Sequence, residues 1–549
     1  MATSVKEFGK AWWAELYNRI IGAAVFIDDY SSECLHWDGG LYNLLDGGAV
    51  AVKSLSPFEF CSKDQHKAVF ITQATDTQLQ TIKEIIHNSH LTHCILISCV
   101  SLDVLYLELN KDKDVTDTVT SGRAPNEATK QLEGMLSSWI NNKNCSIPVS
   151  LVIIDRTLDL CGVTSHSVES VLDKMMGVLP KFPGQSNEIA VDMSPLCAAN
   201  VIFHPDDVQL SPGCLYHADD DSCLQTYDYM INKSQKEVMF DLYNKLLKID
   251  VQKSPGSKML LKVTPQSVEK IISASKGNYD IICKHIGILQ QALGVVQMLK
   301  SPRKSQMELL MSLEKQVLEN LAASRESTSI LHQLSYLITI RRDRNLPLEN
   351  LLALLVHVYS LAGTEVVFTT QHEDQLQQTL SVAIFEDHKY LFSNSDGHIV
   401  TPEECEQISA NVMKLLKQVT QMRKNLQRYN SVLKQCESGI GHEYRGVLQQ
   451  LVDDLVNTER PDIPDLRHRN EGIKDLLRSG LSILTSKKSK VKHPMDNQTV
   501  IIFVVGGITA DECKQLHRSV ITSGIDNNVL IGSTKFVNPV DSMRDVLML

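Results

Sequence analysis

The sequence predicts a mixed α/β protein with parallel-sheet domains and a large helical domain inserted into one of them. Three apolar segments carry this prediction: Ser150–Leu160 (SLVIIDRTLDL), Val500–Thr509 (VIIFVVGGIT) and Val529–Thr534 (VLIGST). Each is a short run rich in β-branched residues and closed by a polar or glycine turn, which is typical of a strand buried on both faces of a parallel sheet. Because the stretch between the first two is patterned almost entirely for helix, we expect one α/β domain interrupted by a helical insertion.

Residues 1–146 form the first predicted domain. Strands are expected at Ala23–Ile27, Ala68–Thr72 and Cys94–Ser98, with helices at about 77–87 and 102–109. Strands separated by helices of this length imply right-handed crossovers and a parallel sheet. From Lys111 to Lys130 the sequence turns polar and loses its periodicity, as a linker does.

The second predicted domain is discontinuous and consists of residues 147–225 and 494–549. The helical third domain, residues 226–493, separates its two parts in the sequence. Helices are expected at about 226–249, 305–323, 327–341, 346–361 and 402–435. A further long helix is expected to begin near Thr264-Pro265, which supply an N-cap and a proline at the first helical position.

The predicted helix at 402–435 has the most regular pattern. The segment Thr401–Glu404 (TPEE) caps its start. Large apolar side chains follow at spacings of three and four: Ile408, Val412, Leu415, Val419, Met422, Leu426, Tyr429 and Leu433. At about 1.5–3 kcal/mol per buried large side chain, such a face does not stay in water. We expect it to pack on a neighbouring helix of the same chain or on a partner protein.

Composition argues against several classes of function. The 549 residues carry a net charge of −11, which disfavours nucleic-acid binding because phosphate contacts need a clustered basic face. The dense basic run at Lys487, Lys488, Lys490 and Lys492 is interpreted as a solvated linker. The 13 cysteines include no CxxC pair, which indicates reduced thiols in a cytosolic protein rather than a disulfide framework or a zinc site.

Neither a secretory leader nor a membrane span is predicted. The N-terminus carries Glu7 and Trp12 in place of a basic leader and apolar core. The most apolar helix, Leu346–Leu361, contains Glu349 and His357 and is too short and too polar to cross a bilayer. A soluble protein is therefore expected.

Enzymatic motifs fail when each is tested at its full spacing. His442-Glu443 begins an HExxH zinc motif, but Gly446 stands where the second metal ligand belongs. Gly439 and Gly441 begin a dinucleotide fingerprint whose third glycine position is Tyr444. We find no GxSxG nucleophile elbow. Catalytic residues, metal ligands and cofactor-binding residues are therefore not predicted.

Two strand ends remain as candidate sites. Gly506-Gly507 follows a strand and suits a phosphate at a helix N-terminus, but Asp511-Glu512 would repel an anion, so a tight strand-to-helix turn is favoured. Asp155-Arg156 with Asp159 forms a charged cluster where parallel sheets bind ligands. The alternative is that these groups pair across an interface and cap the next element. We favour it because no base, nucleophile or metal ligand stands nearby in the sequence.

Three segments also resemble signature segments of a known family. SLVIIDRTLDL, VIIFVVGGITADE and VLIGSTKFVNP are similar to those of the SM family, the Sec-1/Munc-18-like syntaxin-binding proteins, and stand in the family's order. His66–Ile86 and Thr92–Leu109 resemble strand–helix units of the family's first domain. Asn232–Lys248 and Gln266–Leu293 resemble the arms of its domain 3 hairpin, which places the hairpin at about 228–300.

The resemblance implies an arch-shaped, non-enzymatic protein without cofactors that binds SNARE proteins and helps them assemble for membrane fusion. In the family, domain 1 holds a syntaxin-type SNARE and the domain 3 hairpin presents a surface to a vesicle SNARE. A groove between helices suits the apolar faces of amphipathic SNARE helices. The expected location is cytoplasmic and peripheral to endomembranes on the ER–Golgi route, with a tethering complex as a further expected partner. A nucleic-acid partner and a small-molecule substrate are not expected.

The sequence departs from the family in two places. Only Lys111–Ser146 separates Leu109 from the SLVIIDRT strand, so the domain that holds syntaxin in the family is expected to be shortened here. Gly277-Asn278 occupies the region where relatives carry a proline that bends the hairpin.

Two other functions stay open at this level. The first is an α/β nucleotide-binding protein or enzyme that uses the strand ends near Asp155 and Gly506. The second is a helical scaffold for a tethering complex, in which the α/β parts are merely structural. The sequence identifies no partner-binding residue.

Overall fold

The computed structural model describes residues 16–36, 41–62, 64–72, 76–89, 91–97, 149–181, 189–196, 210–213, 215–217, 220–249, 263–324, 328–391, 401–435, 442–468 and 493–548. The predicted helix at 102–109, the linker after it, the lysine run at 487–492 and the glycines at 439 and 441 lie outside the described residues. The chain divides into two compact units. The first takes the described residues of Met1–Arg123, Lys181–Ala190 and Pro212–Gln225, and the second takes the others. The three predicted domains stay a prediction.

The first unit is built on a parallel sheet. In chain order it contains β1 (Ala24–Ile27), α1 (Asp29–His36), α2 (Tyr42–Asp46), β2 (Ala51–Ser54), β3 (Lys67–Ile71), α3 (Asp76–Asn88) and β4 (His93–Ile97). The strand order is β2-β1-β3-β4, with every pair parallel.

The two central strands of this sheet are buried on both faces. Phe26 on β1 stacks on Phe70 on β3, with ring centroids 5.2 Å apart, on one face of the sheet. Val25 and Val69 belong to the core on the other face. The predicted strands and the helix near 77–87 are therefore confirmed. Strand β2 is not predicted from the sequence, because its four residues are half-buried or exposed and carry no strong apolar pattern.

The remaining strands are β5 (Val149–Asp155), β6 (Ile189–Asp192), β7 (Leu210–Gly213), β8 (Leu433–Gln435), β9 (His442–Tyr444), β10 (Thr499–Val505) and β11 (Asn528–Ser533). Three of them form a parallel sheet in the second unit, in the order β11-β10-β5. Ile153 on β5 is the direct register partner of Phe503 on β10. The two segments that are remote in sequence are thus neighbours in one sheet, as predicted.

The helices of the rest of the chain follow in order: α4 (Cys161–Thr164), α5 (Val171–Val178), α6 (Asp221–Asn232), α7 (Gln235–Ile249), α8 (Pro265–Ala274), α9 (Tyr279–Lys284), α10 (Ile286–Lys300), α11 (Arg303–Ser324), α12 (Thr328–Thr339), α13 (Leu348–Ala362), α14 (Thr370–Leu391), α15 (Pro402–Gln421), α16 (Val447–Val456), α17 (Ala510–Ser523) and α18 (Pro539–Leu547). Short 3₁₀ turns lie at Arg156–Leu158, Ser194–Leu196 and Pro494–Asp496. The predicted fold class, α/β sheets with a large helical insertion, is confirmed.

Helix α13 is the centre of the second unit. All of its residues except Glu349 are buried, and it contacts α4, α15 and α18. Its side chains belong to the same hydrophobic core as Val152 and Ile154 of β5 and Val500 of β10. A helix that is apolar on every side is stable in water only when other elements surround it, so this helix joins the sheet to the helical part.

Two predicted helices are divided in the structure. The helix at 226–249 is α6 and α7, separated at Ser234, whose backbone N–H donates to Glu237 while Glu237 N–H donates to the Ser234 hydroxyl. The helix that begins at Thr264 stops at Ala274, because Gly277 has a φ of +73° and Asn278 then caps α9. The N-cap predicted at Thr264 is present, and Ser267 completes a capping box with it.

The predicted helix at 402–435 is wrong in its second half. Its capping box at Thr401 and Glu404 is present, but α15 ends at Gln421. Beyond it, the Asp465 carboxylate accepts hydrogen bonds from the backbone N–H groups of Gln427, Arg428 and Tyr429 at 2.7, 2.8 and 3.2 Å. Those N–H groups are therefore not available to a helix, although Tyr429 is buried as its place in the apolar stripe predicts.

Helix α14 was not predicted. Its buried face consists mainly of Leu376, Leu380, Ala383 and Ile384, and the rest of its 22 residues are largely polar. So narrow an apolar stripe gives a weak helical signal. The helix contacts α12 and α15, and this packing supplies the stability that the sequence pattern does not indicate.

Candidate functional site

The two strand ends singled out in the sequence lie together. Asp155, the last residue of β5, is the register partner of Val505, the last residue of β10. Gly506 follows directly, and a Cβ at Gly506 would lie 2.8 Å from Arg156 Cβ. The carboxyl edge of this sheet therefore brings Asp155, Arg156 and Gly506 into one cluster, as required of a ligand site in a parallel sheet.

Arg156 is held by a partner far away in the sequence. Its side chain is 5% exposed, and Nη1 donates to both carboxylate oxygens of Glu512 at 2.8 Å. Burial acts to lower the pKa of Arg156, but the negative charges of Glu512 and Asp159 outweigh it and raise that pKa. The guanidinium therefore forms a buried ion pair that joins the end of β5 to α17.

The two aspartates of the cluster also bind structural partners. Asp155 caps the following 3₁₀ turn, accepting from the Thr157 N–H at 2.9 Å and the Thr157 hydroxyl at 2.8 Å. Asp159, 1% exposed, accepts from the backbone N–H groups of Cys161 and Val447 and from the Tyr444 hydroxyl, all within 3.0 Å. These contacts match the structural alternative, in which the charges pair across an interface and cap the next element.

A phosphate at Gly506-Gly507 would need free N–H groups at the start of α17, and these groups already have acceptors within the protein. At the start of α17, Thr509 and Glu512 form a capping box. The Asp173 carboxylate, from α5, accepts from the N–H groups of Ala510 and Asp511 at 2.9 and 2.6 Å. The donors that would bind a phosphate therefore already bind carboxylates of the protein itself, which favours the tight-turn interpretation.

Gly507→Ala is expected to destabilise the protein more than Gly524→Ala. Both glycines have a positive φ, +109° and +66°, but a Cβ at Gly507 would overlap the side chain of Val537, whereas one at Gly524 meets no heavy atom within 4 Å. Backbone strain alone costs about 1–3 kcal/mol, and the overlap adds to this at Gly507. Urea unfolding of both variants measures the difference, and equal losses would contradict the tight-turn interpretation.

Asp173 gives the stability of this region a pH dependence. Burial raises the pKa of its carboxyl from 3.8 to about 7, and Asp511 and Glu512 add to the rise, although the two N–H groups oppose it. Between these pH values the folded state holds a proton that the unfolded state has lost. The free energy of unfolding therefore falls as pH rises from 3.8 to about 7 and is level above that range.

The corresponding prediction uses Asp173→Asn. The amide stays neutral at every pH, so this variant is expected to lack the loss of stability between pH 5 and about 7 that wild type shows. Urea unfolding of both proteins across this range measures the difference in unfolding free energy. A difference that does not change with pH would show that Asp173 stays charged in the folded state.

Glu512 and Asp173 are functional partners that the sequence does not predict. Glu512 has a local signal of one of its roles, because Thr509-x-x-Glu512 is a capping-box pattern. Asp173 carries no local signal of its role, because its partners are more than 300 positions away.

The incomplete HExxH motif has no helical setting. His442–Tyr444 is β9, paired antiparallel with β8, and Gly446 is the N-cap of α16. A zinc motif of this kind needs both histidines on one face of a helix. Within the described ranges, His, Cys, Asp and Glu side chains form no group of three or more that could hold a metal ion. The described helices also include none with the length and apolar character needed to cross a bilayer.

Comparisons with known proteins agree with one another. Sec1 family domain-containing protein 2 of Mus musculus is 23% identical over 672 aligned positions, which cover 98% of this chain and 97% of that protein. The human protein of the same name is 28% identical over 71% of this chain, and the matched part makes up 58% of the human protein's length.

The alignment to the mouse protein is longer than the 549-residue chain, so the mouse protein has residues without a counterpart here. The shortening of domain 1 stays a prediction.

A solved structure with a similar fold is the Unc18–syntaxin 1 complex from Monosiga brevicollis, with a TM-score of 0.54 and 13% identity, covering all of this chain and 99% of that one. At this identity the similarity concerns the fold. The family is settled by the sequence itself, because the profile of the Sec1 family matches residues 255–545, more than half of the chain. The chain therefore belongs to the Sec1 family.

Proposed function

We propose that this protein is a non-enzymatic factor of vesicle-mediated transport that binds SNARE proteins and assists their assembly. The observation that carries the proposal is membership of the Sec1 family, whose related fold occurs in a protein that forms a complex with syntaxin 1. The strand-end cluster supports the non-enzymatic part of the proposal, because Asp155, Arg156 and Asp159 bind structural partners within the protein. The proposed location is the cytoplasmic face of endomembranes on the ER–Golgi route, with a tethering complex as a further partner.

The predicted hairpin at about 228–300 offers a surface for such a partner. Phe240 on α7 is 40% exposed and Tyr279 on α9 is 59% exposed. Exposed aromatic side chains are frequent anchors in protein interfaces because they bury a large area when a partner binds. We propose that these two residues contact the apolar face of a SNARE helix.

Binding of the purified full chain to a panel of SNARE cytosolic regions tests the proposal. At least one syntaxin-type SNARE is expected to bind with a dissociation constant of about 1 μM or lower. Tyr279→Ala is expected to weaken that binding about tenfold or more, whereas Tyr336→Ala, which removes an equally exposed tyrosine on α12, is expected to leave it unchanged. Folded protein that binds no member of the panel would refute the proposal.

The nucleotide-binding alternative is tested in parallel by thermal unfolding with nucleotides. A nucleotide at one hundred times its dissociation constant would add about 2.7 kcal/mol to the unfolding free energy. We expect no change, because Asp173 and Glu512 occupy the donors of the α17 N-terminus. A stabilisation that Asp155→Asn abolishes would favour the alternative.

A further inference from the structure

We propose that a cavity in the second unit binds a small amphiphile that carries one anionic group. The cavity has a volume of about 310 Å³ and lies between α5, the end of α10 and the start of α11. We call it the methionine cavity, because Met298, Met307 and Met311 line it together with Lys174 and Gly177. Its volume falls in the range of small-molecule sites.

The wall of the cavity is apolar and adaptable. Met298 is 3% exposed, while Met307 and Met311 are half-buried and lie at a spacing of four on α11. Methionine is unbranched and has a polarisable sulfur, so it adjusts to ligands of irregular shape. This wall suits an alkyl chain rather than a polar molecule.

Gly177 keeps the cavity open. It lies within α5, where most residues would be tolerated by the backbone, and a Cβ built there meets no heavy atom within 4 Å. The φ of Gly177 is not positive, so the backbone does not require glycine there. A larger side chain at this position would enter the cavity.

Lys174 provides the charge that selects the ligand. It is half-buried, and burial lowers the pKa of its ammonium group by more than the negative charges of Glu169 and Asp511 raise it. Among the described residues its Nζ makes no direct ion pair, because the carboxylate of Glu169 pairs with Lys514 at 2.8 Å. A half-buried ammonium without a direct partner is stabilised by an anion.

The acidic residues of the cavity do not cancel this preference. Asp173 directs its carboxylate oxygens to the N–H groups of Ala510 and Asp511. Glu308 pairs at 3.8 Å with Lys304, which also lines the cavity, and both of these side chains are more than half exposed. Lys174 is therefore the half-buried cation left for a ligand, and the matching compound has an alkyl body and a single carboxylate or phosphate.

The test follows the methionine methyl groups by NMR in full-length protein labelled with ¹³C-methyl methionine. Decanoate and decyl phosphate are expected to shift the signals of Met298, Met307 and Met311 saturably. Decanol, which lacks the charge, is expected to bind about tenfold more weakly, and decyltrimethylammonium more weakly still. The proposal would be overturned if none of the compounds gave saturable shifts, or if decanoate and decanol bound with equal affinity.

Three variants localise the effect. Gly177→Leu is expected to abolish the shifts without lowering the thermal midpoint, since its side chain fills the cavity. Lys174→Gln is expected to reduce decanoate affinity to that of decanol, whereas Lys236→Gln, which removes an exposed lysine outside the cavity lining, leaves it unchanged. Shifts that persist in Gly177→Leu would place the ligand elsewhere and refute the assignment.

A vesicle experiment identifies the source of the ligand. Vesicles of phosphatidylcholine with phosphatidic acid are sedimented with wild type and with Gly177→Leu. If wild type sediments and Gly177→Leu does not, the proposal is supported with a membrane lipid as the ligand. If wild type binds decyl phosphate but does not sediment, the proposal is supported with a free amphiphile as the ligand. Equal sedimentation of the two proteins would show that membrane contact occurs at another surface, and it would overturn a membrane lipid as the ligand of this cavity.

Discussion

Glu512→Ala is expected to lower the free energy of unfolding by about 3–5 kcal/mol. The substitution leaves the guanidinium of Arg156, 5% exposed, as a buried charge without its main partner, and it also removes one half of the Thr509 capping box. The two side chains are 6% and 12% exposed, so water cannot replace the lost carboxylate. Urea unfolding monitored by circular dichroism measures the loss.

A solvent-exposed pair provides the control. Asp545, whose side chain is 54% exposed, pairs with Lys535 at 2.6 Å, and Asp545→Ala is expected to change the unfolding free energy by less than about 1 kcal/mol. The double variant Arg156→Met with Glu512→Leu is expected to recover much of the loss, because it removes both buried charges together. If Glu512→Ala proved as mild as Asp545→Ala, the buried pair would not hold α17 to the strand end.

Glu314→Ala is expected to have an effect of similar size, about 3–5 kcal/mol, at an independent position. Glu314 lies on α11 and is 4% exposed. Its carboxylate accepts from the backbone N–H groups of His166 and Ser167 and from the Ser165 hydroxyl, and it contacts the His166 ring nitrogen Nδ1 at 2.7 Å. The substitution leaves several buried donors without an acceptor, each of which costs about 1–3 kcal/mol.

The effect of Glu314→Ala is also expected to depend on pH. Burial acts to raise the pKa of Glu314, but the hydrogen bonds and charge at His166 outweigh it and lower that pKa below 4.5. A carboxylate with a lowered pKa stabilises the fold at pH values above its unfolded pKa, and this stabilisation is lost as pH falls through the folded pKa. The difference between wild type and variant should therefore shrink below pH 4.5.

Glu319 on the same helix is the matched control. It is exposed and lies 4.0 Å from Lys315 across one helical turn, so Glu319→Ala is expected to change the unfolding free energy by less than about 0.5 kcal/mol at any pH. A pH-independent loss in Glu314→Ala would show that its carboxylate is not the group that binds the loop at His166.

The sequence predicts which residues form the candidate site, but not which residues pair with them. The position of Asp155, Arg156 and Gly506 at strand ends follows from local patterns, and so does the expectation that they act structurally. The identity of the partner does not follow, because Arg156 and Glu512 are 356 positions apart and any of the 65 acidic residues satisfies the same charge requirement. Only the register of β5 on β10 brings α17 to Arg156.

The helix starts and helix ends illustrate the same distinction. The starts at Thr264 and Thr401 were predicted because each threonine can cap a helix whose first residue is a proline, and these signals lie within a few positions of one another. The end of α15 was not, since the side chain that binds the N–H groups of 427–429 is Asp465. The apolar stripe continues past Gln421 because Tyr429 is buried and Met422, Leu426 and Leu433 are half-buried, although the backbone there is not helical.

The sequence by itself determined the central strands, the caps that begin the helices, the helical character of the insertion and membership of the family. These properties depend on residues within a few positions of one another, or on the order of such segments. Only the tertiary structure decided which acidic group pairs with Arg156, where α15 ends, that α14 exists and that Gly177 opens into a cavity. Each of these depends on contacts between residues remote in sequence, which are set by packing and by the pairing of buried polar groups.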